Sequence, residues 1–184
     1  MMLSNRRLIA GGFLMVLNEI QLLCVLKHTF NDNNAYNITY DNMDLHDRKI
    51  IYEFFKDKSW QELVEKLDLK KSAYPMELAT YYFNEKNFKY YIPLYIYASF
   101  LNKNGWVFDS CFIDRYLSPD NQDMEYFLSL FENFSNSQLN VISQYIHYAS
   151  FNIGYISAQT AFENFWGLFY DPTIKNESII QDKN

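Results

Sequence analysis

Residues 88–102 read FKYYIPLYIYASFLN, a run too rich in large rings to be left in water. Phe88, Tyr90, Tyr91, Tyr95, Tyr97 and Phe100 each remove about 150–250 Å² from solvent when buried. The run therefore marks the core. Pro93 lies in its middle, and a proline inside a helix costs about 3 kcal/mol. The expectation is a helix that starts at Ile92 or Pro93, with residues 88–91 as its approach and Gly105 as a left-handed end cap.

The rest of the chain reads as helix too. Only five glycines and four prolines interrupt 184 residues, and no Asn-Gly or Asp-Gly hairpin turn occurs. The dominant apolar period is helical. A chain this long is one domain by default and buries roughly 70% of its unfolded surface. The predicted fold is all-α, a single-domain bundle of about seven to nine helices. Its parts are an N-terminal helix within residues 1–28, a helical domain over 29–170 and a polar tail over 171–184. The sixteen tyrosines qualify the core. Each hydroxyl needs a partner, so their rings are expected inside with their tips out.

Local signals place the elements. A first helix is expected over residues 8–27, followed by a long polar loop over 29–44 with a short extended piece at 38–40. The next helix starts near Asp44 or Asp47 and carries Ile50, Ile51, Phe54 and Phe55. Ser59 and Glu62 form a capping box that opens a helix burying Trp60, Leu63, Val64 and Leu67. Pro75 reads as the first residue of a helix presenting Met76, Ala79, Tyr82 and Phe83. Asp109 caps a short helix through Tyr116, and Ser118-Pro119-Asp120 opens one reaching about Asn133. Two more are expected over 135–151, with Leu139, Ile142, Ile146 and Ala149 inside, and over 157–169. The last shows the clearest amphipathic spacing, in Ala158, Ala161, Phe162, Phe165 and Trp166.

A net charge of −6 argues against a nucleic-acid partner, whose phosphates must be neutralised. It suits a cytoplasmic protein, and equally one whose partner is basic. Cys24 and Cys111 lie in apolar runs and read as buried thiols. Arg6 and Arg7 before an apolar stretch resemble a signal peptide, but Asn18, Glu19 and Gln21 interrupt any membrane span. The stretch reads as a core helix, with two alternatives. One is an anchor over residues 8–26; the other is a non-native extension ahead of a true start at Met15.

Chemistry-bearing clusters are few. Asp41, Asp44, His46 and Asp47 fall within seven residues and have the ligand types for a divalent metal. His46-Asp47 matches the two-letter core of the HD phosphohydrolases, without their further ligands. Acids before a helix also serve as caps. Cys24 and His28 are one helical turn apart, but two ligands do not make a zinc site. No phosphate-binding glycine loop or G-x-S-x-G elbow occurs. Tyr81, Tyr82, Tyr90, Tyr91, Tyr95 and Tyr97 can stack bases, yet no basic stripe accompanies them, so they read as core. The sequence thus assigns no catalytic residue, no cofactor and no bound metal.

Four segments carry a resemblance: Trp60-Gln-Glu-Leu63, Tyr90-Tyr-Ile-Pro-Leu-Tyr95, Phe134-Ser-Asn-Ser-Gln138-Leu, and the run from Ala158 to Trp166. Over roughly residues 48–168 the chain resembles a bacterial all-helical family of unknown function, built around a YYLP-type helix and a later S-x-x-Q helix. These motifs are structural, so no site residue carries over. In size, acidity and class the chain also resembles the immunity proteins of contact-dependent growth inhibition. That resemblance implies a protein partner, a cognate toxin such as a basic nuclease, and no enzymatic activity. Asp41, Asp44 and Asp47 are the expected contact residues. The alternative is a metal-dependent hydrolase using Asp41, Asp44, His46 and Asp47.

Overall fold

A helix survives its own proline when enough of it is buried, and the centre of this chain is such a case. In a computed structural model, which describes residues 17–31, 38, 44–102, 111–121 and 123–172, one helix runs unbroken over Glu85–Leu101 with Pro93 inside it. Every residue from Tyr90 to Ser99 is buried. Fully burying one large apolar side chain contributes about 1.5–3 kcal/mol, so several together outweigh the proline penalty of about 3 kcal/mol. The expected start at Ile92 or Pro93 is corrected to a start at Glu85. Asn84 caps it, its side chain accepting from the Asn87 amide at 2.8 Å.

Eight α-helices and no strand occur among the described residues. They are α1 (Glu19–Thr29), α2 (Leu45–Phe55), α3 (Trp60–Glu65), α4 (Leu69–Ala79), α5 (Glu85–Leu101), α6 (Met124–Phe131), α7 (Asn136–Tyr148) and α8 (Ile156–Asn164). Five-residue π-helical segments cover Ile113–Leu117 and Ala149–Ile153, and short 3₁₀ turns cover Pro119–Asn121 and Trp166–Phe169. The fold is all-α, with α1 and α3 packed on α5, α2 on α4, and α7 and the π segment at 113–117 on α8.

The caps explain where several helices begin. Ser59 and Glu62 form the predicted capping box, and Ser135 and Gln138 form another that the sequence reading did not name. Asn18 and Gln21 make a third box, so α1 starts at Glu19 and the expected helix over 8–27 does not pass through residues 17 and 18. The first sixteen residues, Tyr40, Gly105 and Asp109 lie outside the described residues, and the expectations on them with it. Pro75 sits inside α4 rather than at its start, because Asp68 caps that helix seven residues earlier. Lys71, whose carbonyl loses the proline's donor, is exposed, so water can serve it. The helix expected to open at Ser118 is split: after the 3₁₀ turn, Asp123 caps a separate α6.

Cys24 is exposed and Cys111 half-buried, which corrects the expectation of two buried thiols. On α1 the inward face is Leu22, Val25 and Leu26, and Cys24 falls off that stripe.

Aromatic rings form a continuous seam. Phe55 meets Tyr91 edge-on at 4.8 Å, Tyr91 stacks with Phe83 at 5.8 Å, and Tyr95 stacks on Phe112 at 4.1 Å. Phe88 continues it to Tyr116 at 5.0 Å and to Phe131 at 5.7 Å, and Phe131 meets Trp166 at 4.9 Å. The buried hydroxyls do not point out to solvent as expected. Tyr95 donates to the Met76 carbonyl at 2.6 Å, and Tyr116 donates to the Thr80 carbonyl at 2.6 Å and the Phe83 carbonyl at 3.2 Å. Carbonyls at a helix's last turn lack intrahelical donors. Those at the end of α4 receive theirs from α5 and from the π segment.

His147, at the end of α7, is buried against Tyr170, Phe151 and Phe162, with Tyr170 stacked at 4.6 Å. Its Nδ1 has no hydrogen-bond partner among the described residues. Burial pushes the imidazole below its ordinary value of 6.5, so the folded chain holds it neutral. The unfolded chain takes up this proton near pH 6.5 and the folded chain resists it. Its contribution to stability is therefore complete above about pH 6.5 and declines as pH falls below that value. Urea midpoints should drop across that window, and the drop should be shallower in His147→Gln.

Candidate partner-binding surface

The acids singled out in the sequence have local work. Asp44 is the N-cap of α2 and accepts from the His46 amide at 2.8 Å. Asp47 accepts from the Tyr82 hydroxyl at 2.7 Å, which ties the start of α2 to the turn after α4. That hydrogen bond, followed by burial, holds the Tyr82 phenol above its usual range. Asp44 and His46 are exposed and Asp47 is half-buried. Asp41 lies outside the described residues. Among the described residues no three His, Cys, Asp or Glu side chains come together in a way that could hold a metal ion. No helix of the described residues is long and apolar enough to cross a membrane.

Next to that turn is a concavity of about 570 Å³ built from three separate segments. The turn after α4 supplies Tyr81, the stretch from Cys111 through the π segment supplies Cys111, Asp114, Arg115 and Tyr116, and α6 supplies Tyr126. Tyr81 falls off the buried stripe of Met76, Ala79 and Phe83, so its ring is half exposed. In the π segment, Ile113, Tyr116 and Leu117 turn inward and leave Asp114 and Arg115 outside. The Arg115 guanidinium lies over the Tyr81 ring, 4.5 Å from its centre. Such a cation–π contact contributes about 0.5–1 kcal/mol at an exposed site and restricts both side chains. Tyr126 sits in the first turn of α6, fixed because its amide donates to Asp123 at 3.0 Å.

The electrostatics favour a donor-rich, acidic rim. The Cys111 thiol beside it, then burial, hold the Tyr81 phenol above its usual range, and Arg115 opposes them. Tyr81 is thus a neutral O–H donor at physiological pH. Asp114, Asp123 and Glu125 are exposed on the same elements, with Arg115 the cation among them. Tyrosine and arginine in a defined hollow, ringed by charge, match the composition of protein-binding hot spots.

The sequence reads Tyr81 as core, which its half-exposed ring corrects, and it does not single out Arg115 or Tyr126. Of the other tyrosines weighed for stacking, Tyr90, Tyr91, Tyr95 and Tyr97 are core residues and Tyr82 is half-buried. The usable signal was the phase of Tyr81 against its neighbours; nothing local linked it to residues 115 and 126.

No family profile, no curated protein and no solved structure matches the chain.

Proposed function

We propose that this is a non-catalytic binding protein of the immunity type, which neutralises a cognate bacterial toxin by covering it in the cytoplasm. The observation that carries this reading is the concavity holding Tyr81, Arg115 and Tyr126 in an acidic setting. Half-exposed tyrosines anchor protein interfaces at low entropic cost, having few torsions to fix. A net charge of −6 steers a basic toxin such as a nuclease toward the chain and speeds encounter. The contact centre moves, in this reading, from Asp41, Asp44 and Asp47 to the tyrosine hollow. Asp47 adjoins it through Tyr82, next in the chain to Tyr81. Trp60, Tyr90 and Trp166 are core residues beneath that surface.

Co-expression with the product of the neighbouring gene tests it. Cells should survive that product only when this chain is present, and the two should co-purify. Tyr81→Ala and Tyr126→Ala should each weaken the complex about tenfold or more. Both side chains are half exposed, so the variants should keep the parent's thermal stability. Loss of protection with no loss of folding supports the assignment. Failure of the wild-type chain to protect against its neighbour's product overturns it.

A further inference from the structure

A second concavity, of about 300 Å³, lies where the end of α1, the start of α3, the first turns of α5 and the start of α7 meet. It shares no lining residue with the tyrosine hollow. Its walls are aromatic: Phe30, Trp60, Tyr90 and Phe134. Trp60 is 1% exposed and Phe30 and Tyr90 are each 5% exposed, so these rings are fixed parts of the core rather than mobile surface groups. Phe30 and Phe134 meet edge-on at 6.4 Å. Gln138 is also fixed, because its amide donates to the Thr29 carbonyl at 3.2 Å while its oxygen accepts from the Ser135 amide at 2.9 Å. That lashing holds α1 against α7 and sets the width of the opening.

Two ammonium groups, Lys86 and Lys89, flank the opening. This placement is unusual in a chain with 22 acidic and 16 basic residues. Lys89 is mostly covered and is paired with Glu85, one turn away on α5. Lys86 has no acidic partner among the described residues. Among the described residues, and after Glu85 is counted, the opening carries one uncompensated positive charge beside an aromatic slot.

We propose that this slot binds a small planar aromatic anion, one or two fused rings bearing a carboxylate. The volume is at the lower end of small-molecule sites, which run to about 300–1,000 Å³, and so limits the ligand to a small ring system. Phe134 offers its partly buried ring to a flat ligand, and the buried rings of Phe30, Trp60 and Tyr90 back the slot with apolar atoms. Lys86 and Lys89 receive its carboxylate in a charge-assisted contact. An aliphatic anion gains little from the walls, and a neutral arene gains only a weak cation–π contact from the lysines. Selection therefore needs both halves of the ligand.

Titration with 1-naphthoate, followed by tryptophan fluorescence, tests the proposal against 1-naphthalenemethanol, a neutral compound of the same shape. The expected result is saturable one-to-one binding of 1-naphthoate, about tenfold or more tighter than the alcohol, weakening as salt is raised. The double variant Lys86→Ala/Lys89→Ala should bind both compounds equally and unfold at the parent's temperature. Absence of saturable binding to the wild-type chain overturns the proposal, and so does equal affinity for the two compounds. Retention of the preference in the double variant overturns the assignment to this slot. Capture of a toxin is a separate readout, because the lysines lie outside the Tyr81 and Tyr126 hollow.

Discussion

Replacing Trp166 with alanine is expected to cost about 3–5 kcal/mol of folding stability. The indole is fully buried, and it joins three elements at once. Its ring meets Phe131 edge-on at 4.9 Å and Phe165 at 5.2 Å, and its Nε1–H donates to the Leu117 carbonyl at 2.7 Å. Removal leaves a cavity among rigid rings that cannot collapse into it, and it strands a buried carbonyl in the π segment. Domains are typically stable by about 5–15 kcal/mol, so this is about a fifth or more of the total. For a chain of this length the melting temperature should fall by roughly 10 °C. Trp166→Phe keeps most of the apolar area but loses the donor, so it should fall between the two. Calorimetry of the three proteins checks the order. A loss below about 1 kcal/mol in the alanine variant would show that the rings do not pack as described.

Tyr116→Phe is expected to cost on the order of 1–3 kcal/mol, for the removal of one oxygen atom. That oxygen serves the Thr80 and Phe83 carbonyls, and Thr80 is fully buried. Neither carbonyl gains a new donor when the hydroxyl goes. Tyr126→Phe is the control, since its ring is half exposed and its loss should stay within about 0.5 kcal/mol. The same tyrosine contributes an alkaline limit. Burial holds the phenols of Tyr95 and Tyr116 well above the usual value of 10.0. In the unfolded chain they ionise near that value, while in the folded chain they stay protonated. Their contribution is complete below about pH 10 and declines as pH rises above it. Tyrosinate absorbance for these two groups should appear only with unfolding, and one such group fewer should appear in Tyr116→Phe.

How far the sequence foretold this structure depended on distance along the chain. Ser59 with Glu62 was legible because a capping box closes within three residues. Trp60, Leu63 and Val64 followed, as the period of the short helix then fixes which side is buried. Pro93 was misread because its local penalty is visible in the sequence, whereas the burial that offsets it comes from distant segments. Pro75 was misread for a simpler reason: Asp68 caps α4 well upstream, and the proline was given the start. The tyrosine hollow was the least legible. Asp41, Asp44 and Asp47 drew notice by being close in sequence, but Asp44 holds the start of its helix and Asp47 holds Tyr82. Residues 81, 115 and 126 meet only after the chain has folded, and no spacing announces them.

The long-range hydroxyl and indole bonds bear on how the chain leaves the ribosome. Thr80 and Phe83 wait for Tyr116, Ser99 waits for Tyr145 at 3.0 Å, and Leu117 waits for Trp166. In each case an earlier segment is completed by a later one, and the last of these groups is close to the end of the described residues. A nascent chain stalled before residue 166 lacks the donor for the Leu117 carbonyl and the ring against which Phe131 and Phe165 pack, so it is a client for chaperones and proteases. Release of the final helix and the turn after it closes the last of these bonds. Arrest-peptide tension measurements should therefore show one late folding event rather than a staircase.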